Sequence, residues 1–200
     1  LNCGLSAVMF IIAAVALAVK AGDLVPILSM LGAEVILDAM PLAVSAAAVL
    51  LSAMGTVTAP ALSIEGRSIW ILKSLPVDPK AVFRSKSKLF IFADIIPAMV
   101  LVTVASVSFK MDILTALVMA VLTLSLLLVI SEAGMVLGIK YVNLSWDNET
   151  AAVKQGVPVL FIMLIGFLLA LLTGGIGFLL VGKIDLRIIM GVLTVLSVVA

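Results

Sequence analysis

Six unbroken apolar stretches, over about residues 1–19, 31–58, 89–109, 113–139, 157–181 and 186–200, constrain this chain more than any other feature. A helix of roughly 20 apolar residues, rising about 1.5 Å per residue, crosses about 30 Å of hydrocarbon. In lipid the backbone must satisfy its own polar groups, and a helix does so within one segment. The strands of a membrane barrel would alternate apolar and polar residues instead. Of the 200 residues, 64% are apolar and only 12% charged, which excludes an ordinary soluble domain with about 25% charged residues. The expected fold is all-α: a polytopic transmembrane helical bundle of about six spans, forming one transmembrane domain over 1–200.

The same composition removes several kinds of chemistry. There is no histidine and a single cysteine, Cys3. An internal disulfide, a thiolate metal cage and a Ser/His/Asp constellation are therefore excluded, and neither enzymatic activity nor a metal or cofactor is expected. A net charge of +1 gives no electrostatic footprint for nucleic acid. The 10 methionines scatter through the apolar runs as packing residues. The chain starts without an initiator methionine and stops inside an apolar run, so it reads as a piece of a longer protein. Its first stretch lacks the basic start of a signal peptide.

Orientation follows from the connections. Residues 59–88 hold Arg67, Lys73, Lys80, Arg84, Lys86 and Lys88, and residues 140–156 hold Lys140 and Lys154. Eight of the twelve basic residues thus lie in alternate loops, which the positive-inside rule places in the cytoplasm of a multi-pass cell-membrane protein. The sequons at Asn143 and Asn148 then lie on the side where they are not glycosylated.

The loop 59–88 is the longest connection. Pro60 is suited to open a helix, and the mixed run from Ser63 to Leu75 predicts a short cytoplasmic amphipathic helix between spans two and three, with Trp70 at headgroup level. Pro76 ends it, and Asp78-Pro79 restarts a basic helix that runs into the third span. Two readings stand for the amphipathic segment: an interfacial helix on anionic lipid, or a docking surface for a cytoplasmic protein.

The run Ser63-Ile64-Glu65-Gly66-Arg67-Ser68-Ile69-Trp70-Ile71-Leu72-Lys73-Ser74-Leu75-Pro76 resembles a segment of ABC-2-type permeases of Gram-positive bacteria, which carry Ser-x-Glu-Gly followed by Trp-x-Leu-Lys-Ser-Leu-Pro. The second loop, Lys140-Tyr141-Val142-Asn143-Leu144-Ser145-Trp146-Asp147-Asn148-Glu149 with Val153-Lys154-Gln155, is similar to the pattern Lys-Phe-Pro-Lys-x-Asp-Trp-x-Asn-Glu…Val-Lys-Gln. It departs at Val142-Asn143 and at Ser145, where that family has Pro-Lys and Asp. The resemblance implies the C-terminal half of a bacterial exporter's membrane subunit, driven by a separate cytoplasmic ATP-binding-cassette ATPase and completed by the rest of the permease or a second copy. It implies Glu65, Gly66, Arg67, Trp70, Lys73, Pro76, Trp146 and Glu149 as the coupling surface, with Gly66 allowing close approach and Pro76 fixing the bend.

Four carboxylates, Glu34, Asp38, Asp94 and Glu132, lie in or near the apolar runs. A charge at the bilayer centre costs roughly 2.5–3.5 kcal/mol on insertion scales, so such residues mark a candidate translocation path. The competing reading is that each lies within two turns of an interface and is solvated there. Glu34 and Asp38 share one face, and Pro41 predicts a kink beside them. These carboxylates also support a second class of function, a proton- or cation-coupled secondary transporter. Gly134 and Gly138 form a Gly-xxx-Gly motif that permits close helix approach. Gly174-Gly175-Ile176-Gly177 predicts a broken end to span five. The run from Gly177 to Ile184 nearly matches a phosphate-binding loop but lacks its final Ser or Thr, so ATP hydrolysis is expected in a partner chain.

Overall fold

A computed structural model of the chain describes residues 5–31, 34–55, 58–64, 74, 76, 78–143 and 156–199. Among them the fold is an antiparallel bundle of helices: α1 (Leu5–Met30), α2 (Glu34–Asp38), α3 (Met40–Gly55), α4 (Pro79–Ser108), α5 (Ile113–Lys140), α6 (Val157–Leu180) and α7 (Leu186–Val199). Four segments, α1, the 91–108 part of α4, α5 and α6, are long and apolar enough to cross a membrane, and α3 and α7 are shorter apolar helices. Their outward faces are apolar too: Ile12, Val15 and Val19 of α1 and Leu160, Leu164 and Leu171 of α6 are all more than half exposed. Surfaces of that kind face lipid rather than water. The chain is a membrane protein.

The helices begin and end where local chemistry dictates. The Asp78 carbonyl accepts from the Ala81 and Val82 amides as α4 opens at Pro79, as the Asp-Pro pair predicts. Asp112 caps α5, its carboxylate accepting from the Leu114 amide at 3.2 Å. Asp185 does the same for α7, accepting from the Arg187 amide at 2.9 Å. The turns before these two caps are short because Lys110 (φ 50) and Gly182 (φ +86) take left-handed backbone conformations.

Three sequence expectations need correction. The first span does not end at residue 19; α1 continues through Lys20 and Asp23 to Met30. Lysine is a good helix former and does not terminate a helix. The Gly174–Gly177 run does not break span five, because α6 is continuous to Leu180 and Gly177 lies against Leu42. Pro60 does not open a helix within the described residues; 58–64 is a turn. The kink beside Pro41 is present as a full break at Ala39, which separates α2 from α3. Pro41 has no N–H to give the Leu37 carbonyl, and the new helix starts on the Ala39 carbonyl, which accepts from Leu42 and Ala43.

The bundle is organised around α3. Ten of its sixteen residues are buried, most of them alanine, serine or glycine. Small side chains let neighbouring backbones come close, the arrangement that helices use in lipid where burial of apolar surface gives no net drive. α3 packs along α6, where Gly166 meets Ala53 and Gly177 meets Leu42, and it also touches α1, α4 and α5. The α1–α4 pair flanks it on one side, and α5 carries α7 on another. Ser45 of α3 bonds Thr123 of α5 at 3.1 Å in the fully buried interior, and Ser197 of α7 donates to Ser125 of α5 at 2.7 Å. Interhelical hydrogen bonds in membranes average only about 0.6 kcal/mol, so these two align helices more than they stabilise them.

Consecutive connections alternate between the two ends. One end, called here the loop end, carries the connections after α3 and α5; the other carries the turns 109–112 and 181–185. At the turn end Arg187 reaches Asp112 at 3.0 Å and Thr115 at 3.2 Å, joining α7 to the start of α5. Both charges are largely exposed. Arg187→Ala is therefore expected to cost about 0.5 kcal/mol, a thermal shift within a few degrees in a detergent melt.

Candidate functional site

The polar residues inside the bundle concentrate at the loop end. Asp94 of α4 lies between α1 and α3. Its Oδ1 accepts from Ser6 at 2.5 Å and its Oδ2 from Ser52 at 2.6 Å. Both serines are buried. The carboxylate therefore ties together the first turn of α1, the last turn of α3 and the entry of α4 into the apolar layer. Gly55 permits it, because a Cβ there would strike the backbone of Ser6. A carboxylate accepting two hydroxyl bonds is stronger glue than a neutral pair.

One helix over, the chain leaving α3 is folded back into the bundle. Residues 58–63 are all buried. They sit on α5 at its two glycines: a Cβ at Gly134 would meet the Thr58 hydroxyl, and one at Gly138 would meet the Ala59 carbonyl oxygen. The Gly-xxx-Gly motif thus receives a turn of chain rather than a neighbouring helix. The turn closes on itself through the Ile64 amide and Pro60 carbonyl at 2.9 Å. Ser63 then accepts from the Asn143 amide at 3.1 Å, across 80 residues of sequence. The bases of the two long loops are joined by that bond. At the second base, Tyr141 stacks on Phe161 of α6 with centroids 5.7 Å apart, and the Lys140 ammonium lies 5.5 Å from the Tyr141 ring.

The residues expected to couple to a partner are divided by this picture. Pro76 is exposed at the loop end, just before α4. Glu65, Gly66, Arg67, Trp70, Lys73, Trp146 and Glu149 lie outside the described residues. What is described is the platform on which their loops stand. Asp94, Asp38 and Glu132 are not brought together: Asp94 is at the loop end, Asp38 is exposed at the turn end on α2, and Glu132 is exposed on α5 facing a groove shared with α6 and α7. Glu34 is the first residue of α2, and its side chain lies outside what is described. Ser6, Ser52, Ser63 and Asn143 were missed by sequence reading. The available signal for the first two was a hydroxyl inside an apolar run, at the same membrane depth as Asp94.

The near-match to a phosphate-binding loop resolves into a helix end. Gly177 to Leu180 are the last turn of α6, and Gly182 turns the chain toward α7 at the end opposite the basic loops. A helical glycine packed on Leu42 offers no ring of free amides to a phosphate.

A family model, ABC_tran_2, described as "Putative ATP-binding cassette", matches residues 29–198. The chain belongs to this family. The match runs from the end of α1 through α7, so it takes in the carboxylate clamp's α3 and α4 members, the glycine seat and both long loops. No curated protein and no solved structure matches the chain. Membership makes the protein a component of an ATP-binding-cassette transport system, built from membrane-type helices.

Proposed function

We propose that the chain is the membrane-spanning permease subunit of an ATP-binding-cassette exporter in the cell membrane of a bacterium, of the ABC-2 type, and that a separate ATPase subunit drives it from the cytoplasm. The observation that carries this reading is the joined base of the two basic loops. Ser63 bonds Asn143, and the turn between them and α3 sits against α5 at Gly134 and Gly138. A partner that pushes on either loop acts on both, and the displacement enters the bundle through α3 and α5. Next to this platform the Asp94 clamp holds α1 and α4 to the end of α3. Motion of α3 is thereby passed to the helices on its far side.

Coupling requires that the ATPase hold two arrangements of this end with different free energies. A platform that ties the bases of both connections to α3 and α5 meets that need, because the position of the bases reports helix position. In this reading Glu65, Arg67, Trp70 and Lys73 make the contact, with Trp146 and Glu149 from the second loop. Co-purification of the chain with its ATP-binding subunit tests the proposal. The pair is expected to survive detergent extraction, and Glu65→Arg is expected to lower the recovered ATPase at least tenfold. Equal recovery with Glu65→Arg and Trp70→Ala, singly and together, would remove this surface from the mechanism.

A further inference from the structure

At the turn end, α1, the α2–α3 break and the turns 109–112 and 181–185 enclose an open cleft of about 410 Å³. That is within the range of about 300–1,000 Å³ typical of small-ligand sites. Leu37 and Asp38, the last residues of α2, and Pro41, at the start of α3, line it on either side of the break at Ala39. Its lining is mixed, with Leu37, Phe109, Met111, Ile184 and Leu186 among the apolar side chains and Thr115 among the polar ones. Two of its lining residues are charged, Asp38 and Asp112. Asp112 is committed to Arg187 at 3.0 Å. Asp38 makes no hydrogen bond or ion pair with the described residues. The cleft therefore presents one carboxylate without a bonded partner among the described residues, together with apolar side chains that include an aromatic one.

We infer that this cleft binds an amphiphilic monocation, an apolar body bearing one ammonium or phosphonium centre. The cation pairs with Asp38, and its substituents lie against Leu37, Met111 and Leu186, with the Phe109 ring available to the charge. Anions are disfavoured by Asp38, and dications find a second carboxylate already neutralised by Arg187. This deepens the permease reading by giving the class of transported molecule, and it rests on that reading for the cleft's outward orientation.

Binding itself needs neither the ATPase nor a membrane potential, so it separates this inference from the permease proposal. The purified chain in a non-ionic detergent is dialysed against radiolabelled tetraphenylphosphonium. Saturable binding is expected in the wild type, with the dissociation constant raised at least tenfold by Asp38→Asn and near wild type in Asp38→Glu. Val25→Trp, which fills the cleft from α1 with Asp38 and the Arg187–Asp112 pair unchanged, is expected to abolish it. Radiolabelled tetraphenylborate, of the same shape and opposite charge and assayed by itself, should show no saturable binding. Equal phosphonium binding by wild type and Asp38→Asn, or equal saturable binding of tetraphenylborate, would mean partition into the apolar surface and would overturn the inference. That result would leave the ATPase co-purification untouched.

Discussion

Gly138→Leu is expected to unseat the 58–63 turn and uncouple the protein. Any Cβ at Gly138 meets the Ala59 carbonyl oxygen, a backbone atom that moves only if the whole turn moves. Overpacking of this kind costs about 1–3 kcal/mol, and leucine should reach the top of that range. The gain of about 1 kcal/mol in helix propensity from losing glycine offsets only part of it. Gly134 provides the internal comparison. There the Cβ meets the Thr58 hydroxyl, a side-chain atom rather than a backbone one. Gly134→Ala is therefore expected to cost less than Gly138→Ala, by about 1 kcal/mol, in detergent thermal melts. Partner-stimulated ATP hydrolysis should follow the same order, falling most in Gly138→Leu. Equal effects at the two glycines would show that the seat holds no fixed turn.

Asp94→Ala is expected to be the second large perturbation, and its size depends on which serine suffers. Ser52 lies in the last turn of α3, with a full helix before it, and can turn its hydroxyl to the carbonyl one helical turn back. Ser6 lies in the first described turn of α1, and no described residue supplies it with a carbonyl one turn back. A buried hydroxyl left without a partner costs about 1–3 kcal/mol. A loss of about 2 kcal/mol is expected, with faster amide exchange localised to the start of α1. Asp94→Asn keeps the shape and one acceptor, so it should recover at least half of the loss. Transport distinguishes the clamp from an ion-coupling role. A clamp predicts that Asn restores most of the transport lost with Ala, whereas a proton- or cation-carrying carboxylate predicts that Asn is as inactive as Ala.

Much of this architecture is legible in the chain itself, for physical reasons. Run length against bilayer thickness gives four of the six expected spans as helices long enough to cross, because the membrane leaves helices no alternative for satisfying their backbones. The second is broken at Ala39, and the sixth is a shorter apolar helix. Asp78-Pro79, Asp112 and Pro41 mark helix boundaries through local chemistry that needs no tertiary partner. The extension of α1 to Met30 was hidden by Lys20 and Asp23, whose charge suggests a loop although neither residue breaks a helix. The site was less accessible. Gly134 and Gly138 announce a close approach, but nothing local says that residues 58–63 make it. Asp94 announces an expensive carboxylate, while its partners lie 88 and 42 residues away. The bond from Asn143 to Ser63 joins two loops whose sequences carry no common signal.

The central claim is that both long loops stand in the cytoplasm, where an ATPase can reach them. Single cysteines placed in a Cys3→Ser background at Ser74, on the first loop, and at Lys183, in the turn between α6 and α7, test it in intact cells with a membrane-impermeant maleimide. The account predicts labelling at position 183 from outside and labelling at position 74 only after the cells are opened. Labelling at 74 in intact cells, with 183 protected, would invert the bundle and leave a cytoplasmic motor facing the wrong end.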